Sequence, residues 1–314
     1  MPMQVVDRDA TVEDRSHRTL STPWRGWVPL VLLPALVLAL TPRSWPVWAL
    51  MWLLAFAIYC GCKWLTWRRT HVTATWSRNL AYLVAWPGMD APSFLRTAPE
   101  QVAKPSSAQW LFALLKTTFG FALLYGVMRQ LPDGHPYAVG WVGLIGLAMT
   151  LHFGLIHLLS CAWRSFGVNA QPLMRWPMAA DSVSDFWGRR WNLAFRDLAH
   201  RFVFQPLTVR FGLRWAVLGG FFFSGIIHDL AISLPARAGY GLPTLYFMIQ
   251  AAAIFFERSK LGKSLGLGRG WRSRVFAAVV VGGCAPLLFH PPFMNRIVLP
   301  FLHAIGALPW TTLG

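Results

Sequence analysis

Eight long apolar blocks run through this chain, at about residues 26–41, 46–66, 109–128, 138–163, 212–234, 240–256, 275–290 and 293–311. A helix crosses the hydrocarbon core of a bilayer with roughly 20 apolar residues. Inside that core the backbone must satisfy its own hydrogen bonds, which helices do. The blocks therefore predict an all-α fold, a multi-pass transmembrane helical bundle of about eight spans. The first block is the weakest, since Pro29 and Pro34 interrupt it. A hydrophobic content of 55% and a mean hydropathy of +0.43 exceed what an ordinary soluble domain carries.

The net charge of +17 invites a nucleic-acid reading, but the placement of the cations argues against it. Segments 63–104, 164–214 and 258–274 carry 6, 8 and 6 Lys or Arg, and the residues before the first block carry 4. The intervening loops hold only Arg43, Arg129, Arg237 and Arg296, while Lys116 lies within a span. Cations on alternate loops follow the positive-inside rule. The expectation is an integral membrane protein, bacterial inner membrane or endoplasmic reticulum, with both termini cytoplasmic and no nucleic-acid partner. Its basic surface suits anionic lipid headgroups and phosphorylated cosubstrates.

Residues 1–24 are polar, of mixed charge and without an apolar core, which predicts a disordered cytoplasmic tail rather than a cleaved signal. A single membrane domain is expected over 25–314. Many of the 18 tryptophans stand near block ends, among them Trp24, Trp27, Trp45, Trp48, Trp110, Trp141, Trp163, Trp215 and Trp310, as interfacial anchors do. Cys60, Cys62, Cys161 and Cys284 show neither a disulfide framework nor zinc spacing, so they read as packing residues and no metal is expected.

Two basic segments exceed simple turns. In 67–108, the piece 79–90 is apolar but too short to span and is stopped by Pro87-Gly88, which predicts an interfacial or re-entrant element. In 164–211, Ser182 with Asp185 three residues on resembles a capping box. A helix from about 183 to 201 would place Asp185, Arg189, Asn192 and Arg196 on one face. Phe186, Trp187, Trp191, Phe195 and Leu198 would cover the rest, as in an interfacial amphipathic helix. Such a helix either binds lipid phosphates through its arginines or lines the mouth of a reaction chamber with Asn192 inward.

His228, in Phe223-Ser224-Gly225-Ile226-Ile227-His228-Asp229, lies deep in the run Leu213–Leu234. An ionisable group at that depth is costly and reads first as functional. Ser224 is one turn earlier on the same face. Asp229 points elsewhere and reads as packing or a helix-end partner. His152 and His157 are separated by about 140° around a helix, poor for a shared metal. They read as core or tunnel-wall residues, and Lys116 as a snorkelling cation or a substrate contact. The Gly266-x-Gly268-x-Gly270 run has no preceding strand, so it is a basic loop rather than a dinucleotide fingerprint. His290 and His303 have no assignment. Gly262-Lys-Ser-Leu-Gly266 has the Gly-x-Ser-x-Gly spelling but lies in this strandless basic loop, so it is no nucleophile elbow, and no magnesium-holding acidic cluster occurs.

Asp185-Phe-Trp-Gly-Arg-Arg-Trp-Asn192 followed, 36 residues after Asn192, by the histidine of Ser224-Gly-Ile-Ile-His228 resembles the wax synthase-like branch of the membrane-bound O-acyltransferase superfamily. The close likeness covers roughly 180–250, and Trp86-Pro-Gly-Met-Asp90 extends it weakly. The resemblance implies acyl transfer from acyl-CoA, as co-substrate, to a hydroxyl, with His228 catalytic and Asn192 assisting. Acyl transfer needs a base, an oxyanion donor and exclusion of water. A neutral imidazole suits the first task and Asn192 the second. Arg189, Arg190 and Arg196 suit CoA phosphates, and Asp185, Trp187, Trp191 and Ser224 are expected to line the substrate path. The acceptor is a lipophilic alcohol, giving a wax or sterol ester. Transfer of a short acyl group such as acetyl to a terpenoid or similar metabolite is the enzyme alternative, and a proton-coupled transporter using His228 the non-enzyme one. The chain is short for the superfamily, so acceptor specificity does not carry over.

Overall fold

The computed structural model describes residues 26–96, 102–131 and 135–309. The expected tail 1–24, with Trp24, and also Trp310 lie outside them. The described residues fold into helices with no strand among them. In chain order these include α1 (Val28–Leu40), α2 (Val47–Arg68), α3 (Trp76–Ala85), α4 (Ala91–Leu95), α5 (Ser107–Gln130) and α6 (Pro136–Ser165). There follow α7 (Val183–Asp185), α8 (Leu193–Ala199), α9 (Gln205–Phe211), α10 (Leu213–Ala236), α11 (Leu242–Arg258), α12 (Lys260–Ser264), α13 (Gly270–Leu288) and α14 (Leu299–Ala304).

Five of these, α2, α5, α6, α10 and α13, are long and apolar enough to cross a membrane. The all-α, multi-pass expectation holds. The other three apolar blocks are helical but shorter. α1 has 13 residues and carries Pro34; at 1.5 Å per residue it reaches about 20 Å, less than the roughly 30 Å hydrocarbon core. α11 has 17 residues, or about 26 Å. The last block is divided among short helices begun by Pro291 and Pro300.

Printed onto this bundle, the charge alternation becomes spatial. At one end Arg201 donates to the Arg69 carbonyl (2.5 Å), Trp163 to Ala85 (2.9 Å) and Arg164 to Ala103 (2.8 Å). Arg258 donates to Ser184 (3.0 Å) and Arg274 pairs with Asp181 (2.8 Å). The three basic segments therefore meet. At the other end the sparse cations meet carbonyls at helix ends: Arg129 donates to Gly306 (2.6 Å) and Arg296 to Ala236 (2.9 Å).

Several helix pairs cross with almost no room between them, α5 with α6 and α10 with α11 among them. A Cβ on Gly154 of α6 would fall on the Thr117 side chain of α5, and one on Gly120 of α5 on that of Thr150 in α6. On α10, a Cβ at Gly225 would stand 2.6 Å from the Thr244 Cα of α11. Small residues at such crossings let membrane helices pack backbone to backbone.

The segment after Ser182 departs from the single helix expected over 183–201. α7 widens into a π-type turn over Phe186–Arg190, and Trp191 is extended (φ −98°, ψ 132°). Asn192 turns left-handed (φ 39°, ψ 62°) and starts a new helix, α8. The four polar residues therefore do not share one helix face. Asn, with its short polar side chain, is among the few non-glycine residues that visit this conformation, and the segment's one glycine, Gly188, stands four residues before it.

Residues 76–85 form α3, too short to span, followed by an extended 86–90 and α4. The helix thus ends just before Pro87-Gly88, where the sequence pattern set the stop. Lys63 of α2, fully buried, donates to the Gly88 carbonyl (2.6 Å) and stands over the Tyr82 ring at 3.2 Å, fastening this loop to the bundle.

Candidate active site

The Gly225–Thr244 crossing sets α10 and α11 side by side, and Asp229 holds their register. Its carboxylate accepts from the Gly241 and Thr244 backbone N–H groups (2.8 and 3.1 Å) and from the Thr244 hydroxyl. Asp229 is thus the N-terminal partner of α11. One turn along from Gly225 and Thr244, His228 meets Phe247, ring centroids 4.6 Å apart. Phe195 of α8 closes the other side edge-on at 6.4 Å.

His228 is half-buried, about 22 Å along α10 from Leu213. Its Nδ1 lies 2.7 Å from the Ser224 carbonyl oxygen. A carbonyl only accepts, so Nδ1 carries the proton and the neutral ring leaves its lone pair on Nε2. Nε2 has no hydrogen-bond partner among the described residues. Ser224 acts here through its backbone; its hydroxyl donates back to Gly220 (3.0 Å) within the same helix.

Asn192 reaches this site through one intermediary. Its Oδ1 accepts from the Phe195 N–H (3.3 Å), capping α8, and the Phe195 ring faces His228 and stacks on Phe223 at 6.1 Å. The Asn192 amide NH2 has no partner among the described residues, so it retains two donors. Trp187 approaches from the other flank. Its ring packs on Phe247 (5.4 Å) and Phe221 (5.9 Å), and its indole N–H donates to Gln250 (3.3 Å). Trp191 stacks on Phe186 (5.5 Å) and meets Phe153 of α6 (5.9 Å), away from these contacts.

The charged residues of the motif serve one another first. Asp185 pairs with Arg189 (2.7 Å) and Arg190 (2.5 Å). Burial alone would raise the Asp185 carboxyl. The Asp181 N–H and the two guanidinium groups outweigh it and hold the carboxyl below its ordinary value. The Arg189 side chain stays 75% exposed, against 24% for Arg190, which also donates to the Trp176 carbonyl. Arg196 donates to Gly188 (2.9 Å) across the break and pairs with Asp197 (2.5 Å). Of the three arginines, Arg189 is the one presented outward.

Sequence reasoning missed Glu257. Buried at the end of α11, its carboxylate accepts from the Val183 and Ser184 N–H groups (both 3.0 Å) and from the Ser184 hydroxyl. It fixes the start of the motif segment beside α11. An acid closing an apolar block beside basic residues was the available signal. Among the described residues no three His, Cys, Asp or Glu side chains cluster as metal ligands do.

The family model described as "Membrane bound O-acyl transferase family" matches residues 170–249. A long-chain-alcohol O-fatty-acyltransferase of Simmondsia chinensis is 35% identical over 82 residues, 24% of this chain and 23% of that protein. The probable long-chain-alcohol O-fatty-acyltransferase 9 of Arabidopsis thaliana is 29% identical over 202 residues, 59% of this chain and 57% of that protein. The acyl-CoA–sterol O-acyltransferase 1 of Arabidopsis thaliana is 36% identical over 141 residues, 41% and 40% of the two chains. The alignments cover less than two thirds of these relatives' lengths. Residues 170–249, which hold the motif segment and the His228 crossing, are thus the part of the chain that is similar to the membrane bound O-acyl transferase family.

Proposed function

We propose that this protein is an O-acyltransferase that moves an acyl group from acyl-CoA to the hydroxyl of a lipophilic alcohol, a long-chain alcohol or a sterol, inside the membrane. The observation that carries the reading is the proton on His228 Nδ1, held by the Ser224 carbonyl, which leaves Nε2 as a base. Nε2 takes the alcohol proton as the oxygen attacks the thioester carbonyl. The C–S bond then breaks and His228 returns the proton to the CoA thiolate, giving ester and free CoA. A base of this kind contributes about 10²–10⁴-fold.

The free Asn192 NH2 supplies a donor for the developing oxyanion, worth about 10²–10³-fold where such a donor is removed. Phe195, Phe247 and Trp187 keep water from the thioester. Arg189, exposed at the basic end, faces the CoA phosphates. Arg190 and Arg196 hold the segment that presents it. In this reading the basic end and both termini face the cytoplasm. The named activities of the relatives support a long-chain alcohol or sterol acceptor over a short-chain reaction on a terpenoid.

The test incubates purified membranes holding the full chain with labelled acyl-CoAs of several lengths and a panel of lipophilic alcohols. Ester is expected with wild type and not with His228→Ala in protein that remains inserted. Undiminished ester formation by that variant rejects the reading.

A further inference from the structure

A second polar pair lies within the bundle, at the α5–α6 crossing. Gly154 against Thr117 and Gly120 against Thr150 press α5 onto α6. The neighbouring residues Lys116 and His157 are thereby brought together, Nζ to Nδ1 at 2.9 Å. An ammonium group only donates, so His157 Nδ1 is the acceptor and its own proton sits on Nε2. Both residues are at depth: Lys116 is about 13 Å along α5 from Ser107, and His157 about 12 Å from Ser165 at the end of α6.

The ammonium group has three donors, and His157 takes one. No other hydrogen-bond partner and no carboxylate meets Lys116 among the described residues. Arg164, seven residues beyond His157 and so on the same face of α6, adds a second cation. Its own donors are taken by the Ala103 carbonyl and Gln109. A cation inside a span is costly unless an anion meets it, and the two remaining donors of Lys116 suit one.

The surroundings say what kind of anion. Lys116 is half-buried and opens on an outer face of α5 formed by Phe112, Leu115 and Phe119, each more than 40% exposed. In a membrane that face meets acyl chains. The Lys116 side chain leans toward the start of its helix, and Phe112 lies there, its ring 5.8 Å from Nζ and packed on Trp176 at 4.8 Å. We infer that the two remaining donors of Lys116, which His157 holds in place, form a site for the oxyanion head, phosphate or carboxylate, of a membrane amphiphile whose tail lies along α5. This site is separate from the one built on His228, and it does not depend on acyl transfer.

Binding to the full chain in neutral maltoside micelles tests it, by titration calorimetry with dodecyl phosphate, dodecanoate and dodecanol. Wild type is expected to bind at least one of the two anions about tenfold or more tighter than the alcohol, the scale of a charge-assisted hydrogen bond. Lys116→Met should erase that preference and Lys116→Arg should keep it. Lys116→Met replaces the cation with an apolar side chain of similar length, and an unchanged thermal midpoint certifies its fold. Inorganic phosphate distinguishes the sources: failure to compete supports the membrane amphiphile, and competition at matched concentration overturns it in favour of a soluble phosphate. Equal binding of all three amphiphiles, or a preference that survives Lys116→Met, overturns the site.

Discussion

The α10–α11 and α5–α6 crossings use one packing device and end with differently prepared histidines. In each, a glycine lies on a threonine of the facing helix and a histidine follows three residues later: Gly225-Ile-Ile-His228 and Gly154-Leu-Ile-His157. The neighbours then diverge. Across from His228 stands Phe247, so among the described residues its one hydrogen-bond partner is the Ser224 carbonyl of its own helix, and the lone pair is left on Nε2. Across from His157 stands Lys116, which occupies the Nδ1 lone pair and leaves a proton on Nε2. One ring offers a base, the other a donor. Depth in the membrane alone does not set what a histidine can do; the partner that fixes its tautomer does.

The largest effect should come from breaking this distinction at His228. His228→Ala is expected to lower ester formation about 10²–10⁴-fold, the usual contribution of a general base. His157 remains in that variant, as does His290, whose Nδ1 accepts from the Phe293 N–H (3.2 Å). Neither substitutes, because Nε2 of each carries a proton, and that of His290 already faces the Ser233 hydroxyl (3.4 Å). Rates measured with saturating acyl-CoA that stay near wild type would erase the difference between the two crossings.

Asn192 sharpens the comparison next, because its cap and its free amide are separable. Asn192→Asp keeps an oxygen to accept from Phe195 and removes the donors; Asn192→Ala removes both. If the amide assists the oxyanion, both variants lose about 10²–10³-fold in kcat. If Asn192 serves α8 alone, aspartate retains activity, while alanine costs about 1 kcal/mol of stability for the lost cap. Aspartate at wild-type rate would confine Asn192 to shaping the chain.

The crossings themselves differ from what the sequence displayed. The multi-pass helical fold was legible because hydropathy adds up over some twenty residues, so no single position decides it. Even the two ends were legible, since the basic segments 63–104, 164–214 and 258–274 meet through Arg201, Trp163, Arg258 and Arg274. The break at Trp191 and Asn192 was not, because one left-handed residue outweighs a helix-spaced pattern of charges. Glu257 was hidden for another reason: its partners Val183 and Ser184 are 74 and 73 residues away. The matching Gly-x-Ile-His phrases stood in plain view, yet nothing in four residues says which helix faces them.

Glu257 also gives a prediction in stability rather than rate. Glu257→Ala leaves two backbone donors beside a buried helix end, at about 1–3 kcal/mol for each unsatisfied group. The thermal midpoint should fall, and proteolysis should begin within residues 182–192. An unchanged midpoint would mean that the motif segment is positioned by Trp187 and its ring contacts instead.

The smallest effect concerns acid. The Asp185 carboxyl is held below its ordinary value by the Asp181 N–H and by Arg190 and Arg189, against the opposing pull of burial. A folded value below the unfolded one means that the unfolded segment binds the proton more readily. The stabilisation is therefore complete above about pH 4, the ordinary carboxylate value, and is lost as pH falls through the lower folded value. Amide exchange over 182–191, corrected for its intrinsic pH dependence, should be flat from neutrality to that point and rise below it. Asp185→Asn should already show the faster exchange at neutral pH and no further rise in acid. The α5–α6 crossing, where no carboxylate meets Lys116 among the described residues, should show no such acid step. A step of equal size there would point to an acidic partner for that lysine and remove the charge asymmetry between the two crossings.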